Sequence, residues 1–85
     1  MPKVVIYTTD YCPYCVKAKS LLQKKQIAFN EIKISDEAMR EAMIIKSGGK
    51  RTVPQIFIND YHIGGCDDLY ELEKQKKLDQ LLEIN

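Results

Sequence analysis

Charge of one sign is what this chain most conspicuously lacks. Thirteen lysines and arginines stand against twelve aspartates and glutamates, for a net charge of +1. The two signs are interspersed, so there is no concentrated basic face of the kind that binds nucleic acid. Long apolar runs are also missing, which argues against a membrane span. The opening Met1-Pro2-Lys3 leads straight into a short apolar strand rather than a signal-peptide core. A reducing, cytoplasmic setting without membrane association is the expectation. Cysteine is scarce and odd in number: three leave one unpaired, which speaks against a secreted disulfide framework. Length is limited as well. Residues 1–85 are expected to make one domain, just above the size at which a single core usually needs covalent or metal staples. Repeats, linkers and low-complexity segments are absent.

What the chain does have is Cys12-Pro13-Tyr14-Cys15, preceded by the apolar stretch Val4–Thr8 and followed by Val16, Ala18, Leu21 and Leu22 at helical spacing. The motif therefore sits on a strand-to-helix turn, with Cys12 at the helix N-terminus. Pro13 suits the first helical position, where its missing N–H has no intrahelical partner to lose. The thiolate is the nucleophilic form, and a helix N-terminus favours it. That terminus contributes at most about 2 kcal/mol. Further stabilisation must come from donors facing the sulfur, and the Tyr14 N–H, the Cys15 N–H and the Cys15 thiol are available. Cys12 is read as the attacking cysteine and Cys15 as the resolving one. A disulfide between them would close too short a loop to staple the fold, so its role is chemical.

Further along, Ile27–Ile34 reads as a second strand. Ser35 is placed as the cap of a helix with Asp36 and Glu37 in its first turn and Lys46 in its last, stopping at Gly48-Gly49. Ala38, Met39, Ala42, Met43 and Ile45 are its expected apolar face. A strand, helix, strand, helix opening favours a parallel pair with a right-handed crossover. Gln55–Ile58 and Tyr61–Ile63 flank Asn59-Asp60, a hairpin signal, so the sheet should finish with antiparallel strands. One final helix is expected from Asp67-Asp68 onward, burying Leu69, Tyr70, Leu72, Leu78, Leu81 and Leu82. Lys17, Lys19, Lys24 and Lys25 read as a solvated helix face.

Taken together, Cys12-Pro13-Tyr14-Cys15, Thr52-Val53-Pro54 and Gly64-Gly65-Cys66-Asp67-Asp68 resemble the glutaredoxin family, closest to its short bacterial dithiol type. The resemblance covers essentially the whole chain. It implies an α/β, thioredoxin-like fold, a four-stranded mixed sheet flanked by helices on both faces. It implies a glutathione-dependent thiol-disulfide oxidoreductase acting on protein disulfides and glutathionylated proteins through Cys12 and Cys15, as a monomer, with glutathione as co-substrate and neither cofactor nor metal. It also implies a cis bond before Pro54, which would free the Val53 N–H and C=O to pair with extended glutathione as an added strand does. Tyr14, Thr52 and Pro54 would flank the ligand. Main-chain N–H groups at Cys66 would hold the γ-glutamyl carboxylate and Asp67 its amine, with Asp68 as the acid on the helix side. Related sequences commonly carry lysine at the place of Thr9; here Lys50 and Arg51 are the nearest basic substitutes, and Arg51 is placed in the site.

Two other readings use the same residues. One is a thioredoxin-like reductant served by a different reductase. The other is a metal or cluster-binding module in which Cys66 and His62 complete a set with Cys12 and Cys15. His62 is otherwise given no catalytic role, and the Cys66 sulfur is expected to be a small buried group.

Overall fold

In the computed structural model, which describes residues 2–84, strand β1 (Val4–Thr8) divides the molecule into two halves. Successive side chains of a strand point to opposite faces. Val4 and Ile6 therefore join one apolar cluster, and Val5 and Tyr7 the other. β1 pairs in parallel with β2 (Asn30–Lys33) and antiparallel with β3 (Gln55–Ile58), which pairs antiparallel with β4 (Tyr61–Gly64). The sheet order is β2-β1-β3-β4. Between β3 and β4, Asn59 and Asp60 have φ of 51° and 66°. Positive φ at both central residues is what a type I′ hairpin needs, and short polar side chains tolerate it.

The larger cluster packs Val4, Ile6, Ile56 and Ile58 against Ala18, Leu21 and Leu22 of α1 (Pro13–Lys24). Leu69 of α3 (Cys66–Lys74), Leu78 of α4 (Leu78–Leu81) and Leu82 close it. Truncating a fully buried leucine such as Leu22 to alanine typically costs about 2–5 kcal/mol. On the other face Tyr7 and Phe57 meet edge to face, with ring centroids 5.8 Å apart, beneath Met43 of α2 (Glu37–Lys46). A four-stranded mixed sheet with helices on both faces is thus present as expected. No helix among the described residues is long and apolar enough to cross a membrane.

Several local expectations need correction. The cap of α2 is Asp36, whose Oδ1 accepts from the Met39 N–H at 2.8 Å; Ser35 donates instead to the Met39 sulfur. Of the apolar face expected for α2 only Met43 is fully buried, Ile44 packs beside it, and Ile45 is 74% exposed. A single helix laid over one part of the sheet buries a narrow stripe. Val16 likewise points outward, because Cys15, Ala18 and Leu22 define the buried line of α1 and Val16 lies off it.

The second strand is shorter than Ile27–Ile34. Gln26 adopts φ 58°, and the Gln26 and Ile27 N–H groups bond back to the carbonyls of Gln23 and Leu22. This Schellman ending of α1 turns Ile27 and Phe29 into the larger cluster before pairing begins. The expected final helix is two helices. Lys76 has φ 61°, and the Lys76 and Lys77 N–H groups return to Glu73 and Leu72. The bend brings Asp79 to Lys25, whose side chain is only 13% exposed and also pairs with Glu73 at 2.8 Å. The lysines of α1 are therefore not a uniformly solvated face. Lys19 pairs with Glu31 at 2.9 Å, and Lys17 lies over the Tyr70 ring.

Candidate active site

Tyr11, at φ 59°, turns the chain so that Cys12 enters α1 in an extended conformation as its N-cap, with Pro13 in the first turn. The Cys15 N–H donates to the Cys12 sulfur at 3.1 Å. The cysteines are joined as a disulfide, with Cα atoms 5.2 Å apart. Their environments differ: Cys12 is half-buried, whereas Cys15 is 1% exposed. An accessible sulfur at the helix end, backed by a covered one a turn further in, has the arrangement expected of an attacking and a resolving thiol. Tyr11, Tyr14 and Val16 stand exposed around them.

The second segment approaches from the loop before β3. The Val53–Pro54 bond is cis, and the Val53 carbonyl oxygen lies 4.0 Å from the Cys12 sulfur. The third segment begins at the end of β4. Gly64 has φ 119°, and a Cβ there would run into the Asp68 carboxylate. That carboxylate accepts from the Gly65 N–H at 2.9 Å and so caps α3. At Gly65 a Cβ would come within 3.4 Å of the Pro54 carbonyl. The two segments thus nearly touch, main chain against main chain.

Between them runs a groove of about 240 Å3, lined by Tyr14, Thr52, Val53, Pro54, Cys66, Asp67 and Asp68, with Lys50 and Gln55. Of the residues expected to bind glutathione, Arg51 alone does not line this groove: its side chain is exposed, and its carbonyl accepts from Arg40 of α2 at 2.7 Å. Lys50 is the cation on the groove. Asp67, exposed in the first turn of α3, makes no hydrogen bond or ion pair among the described residues. Burial pushes the Cys66 thiol above its ordinary pKa, a neutral group at neutral pH. His, Cys, Asp and Glu side chains form no metal-binding group among the described residues.

A second depression lies along Cys12, Cys15 and Val16, bounded by Lys19, Glu31 and Lys33. The Thr8 hydroxyl donates to Glu31 at 2.6 Å, and Lys19 adds its ion pair. These two contacts hold the Glu31 carboxyl below its usual range, the Thr8 hydrogen bond contributing most.

Sequence reasoning gave His62 no catalytic role outside a metal set and did not foresee its contact with Gln55. Gln55, 3% exposed, donates through Nε2 to the Thr52 carbonyl at 3.0 Å, and its Oε1 lies 2.7 Å from His62 Nε2. The available signal was a polar residue opening an otherwise apolar strand, since a buried amide must find partners.

The family model described as glutaredoxin matches residues 4–63. Glutaredoxin 3 of Escherichia coli strain K12 is 51% identical over 83 residues, covering 98% of this chain and 100% of that protein. Glutaredoxin 1 of Rickettsia prowazekii is 56% identical over 82 residues, 94% of this chain and 86% of its own. Among solved structures, the buckwheat glutaredoxin–glutathione complex superposes with a TM-score of 0.88 at 32% identity, covering 96% of this chain and 77% of that one. The solution structure of a glutaredoxin from Brucella melitensis gives 0.82 at 53% identity, covering 94% and 87%.

Proposed function

The chain belongs to the glutaredoxin family and is a thiol-disulfide oxidoreductase that works with glutathione, and we propose that Cys12 is its nucleophile and the Val53–Asp67 groove its glutathione seat. The observation that carries this reading is the position of the Cys12 sulfur, 3.1 Å from the Cys15 N–H and 4.0 Å from the carbonyl of Val53 on the groove wall. A glutathionyl sulfur bonded to Cys12 can then lie with its peptide along Val53.

The chemistry runs as two exchanges. The Cys12 thiolate attacks the glutathione sulfur of a protein–glutathione disulfide, and the protein leaves as a thiolate that takes up a proton. A second glutathione thiolate then attacks the Cys12 mixed disulfide, giving oxidised glutathione and returning the Cys12 thiolate. With a protein disulfide, Cys12 joins one sulfur, the Cys15 thiolate displaces the substrate, and the Cys12–Cys15 disulfide remains for two glutathiones to reduce.

The family resemblance supports protein disulfides and glutathionylated proteins as substrates, action as a monomer in the cytoplasm, and catalysis by the cysteine pair without a resident cofactor or metal. On the groove, the free Asp67 carboxylate suits the γ-glutamyl amine, and the Cys66 and Asp67 N–H groups at the α3 N-terminus suit its carboxylate. Lys50 suits the glycine carboxylate. Reduction of a glutathione mixed disulfide by the pure protein with glutathione, glutathione reductase and NADPH is the test. Turnover only with thioredoxin reductase would overturn the assignment.

A further inference from the structure

The loop that would present Val53 to glutathione is held from behind by a two-residue relay. Gln55 is almost fully buried, and its amide nitrogen faces two oxygens of Thr52, the carbonyl at 3.0 Å and the hydroxyl at 3.4 Å. A carbonyl only accepts, so the Gln55 nitrogen must be on that side and Oε1 on the other. Oε1 meets His62 Nε2 at 2.7 Å, and that nitrogen must therefore carry the proton. The imidazole is half-buried and tilted over the Phe57 ring, centroids 5.0 Å apart, on the strand directly opposite.

The Thr52 carbonyl and the Val53 N–H belong to one peptide unit. That unit is planar and trans, so its oxygen and its hydrogen point in opposite directions. Fixing the carbonyl toward Gln55 therefore aims the Val53 N–H away from the core. We propose that His62, acting through Gln55, is a positioning residue that sets the direction of the Val53 N–H and with it the affinity for the glutathionyl part of the substrate. This rests on the reading of the groove as a glutathione seat. The relay touches neither sulfur, so it should govern substrate binding and leave the reactivity of Cys12 alone.

Three variants test it. His62→Phe keeps a ring against Phe57 and removes the donor. His62→Gln places an amide N–H at about the reach of Nε2. Gln55→Met keeps length and removes the hydrogen bonds to Thr52 and to His62. His62→Phe and Gln55→Met should each raise KM for a glutathionylated peptide about two- to twelve-fold, the range expected for one net hydrogen bond, with kcat held. The rate of Cys12 alkylation by iodoacetamide as a function of pH should not move. His62→Gln should restore KM.

Backbone amide exchange of Thr52 and Val53, followed by NMR in the ligand-free protein, should quicken in His62→Phe and recover in His62→Gln. An unchanged KM in folded His62→Phe, a parallel change in alkylation, or His62→Gln behaving like His62→Phe would each overturn the proposal. If His62→Phe does not fold, Gln55→Met and His62→Gln decide it by the same readouts. A wild-type protein inactive on glutathione mixed disulfides would instead overturn the groove reading. The relay's hold on the loop would then stand or fall on the amide exchange alone.

Discussion

The main-chain N–H of Cys15 points at the sulfur of Cys12 across 3.1 Å, and the Cys15 side chain is buried behind it. One residue thus serves the nucleophile twice, as a hydrogen-bond donor through its backbone and as a resolving thiol through its side chain. Replacing the side chain leaves the donor in place. Cys15→Ser should therefore keep its activity in removing glutathione from proteins, since a second glutathione attacks from solution. It should lose reduction of protein disulfides that need intramolecular release, because the high effective concentration of Cys15 is gone. Cys12→Ser should lose both. Assays of both variants on both substrates, with iodoacetamide alkylation followed against pH, check this; deglutathionylation surviving in Cys12→Ser and not in Cys15→Ser would reverse the assignment.

Asp67 and Asp68 are neighbours with separate tasks. Asp68 is tied to the Gly65 N–H, whereas Asp67 is free on the groove. Asp67→Ala should reduce kcat/KM on a glutathionylated peptide about 10- to 150-fold, the equivalent of a charge-assisted hydrogen bond, with little change in melting temperature. Asp68→Ala should lower stability by about 1 kcal/mol through loss of the cap. In a domain of this size that is a drop of about 4–8 °C. Kinetics and thermal melts on the same preparations compare them; full activity in Asp67→Ala would leave that carboxylate without a role in binding.

Lys50 and Arg51 are adjacent cations, and only Lys50 lines the groove. Lys50→Ala should raise KM for glutathione several-fold and weaken its dependence on ionic strength, as removal of a charge partner does. Arg51→Ala should stay near wild type. The reverse result would return the carboxylate contact to Arg51.

Lys25 joins the end of α1 to both C-terminal helices. The hydrogen bonds that its ammonium donates to Asp79 and then to Glu73 raise its pKa above the ordinary 10.5. A raised lysine pKa stabilises the folded state fully below the unfolded value, and the contribution is lost as pH rises through the folded value. Lys25→Met should therefore cost about 1 kcal/mol at pH 7, and its deficit against wild type should shrink only above about pH 10. Urea unfolding across pH 6–11 measures it; a deficit already fading between pH 6 and pH 9 would mean that the ion pairs do not carry the effect.

The order of the strands and of the first two helices, the Asn59-Asp60 hairpin and the placement of Cys12 at a helix start were legible in the chain itself, whereas Thr52, Val53, Pro54, Cys66, Asp67 and Asp68 were expected to share one site only through the family resemblance. The reasons for the former are local. The short continuous apolar run of Val4–Thr8, positive φ tolerated by Asn and Asp, and a proline that suits the first helical turn are properties of residue types over a few positions.

What the tertiary structure decided lies between segments distant in sequence. The break at Lys76 carries no glycine or proline to announce it, yet it lets Asp79 reach Lys25 across 54 positions. The lining of the groove by Lys50 and not Arg51 depends on how the loop leaves α2, where Arg40 holds its main chain. The partners of His62 depend on the β3–β4 pairing that sets it beside Phe57 and within reach of Gln55. A buried amide must be satisfied, and its residue type says so. Which groups satisfy it is a matter of distance in space, which no local pattern encodes.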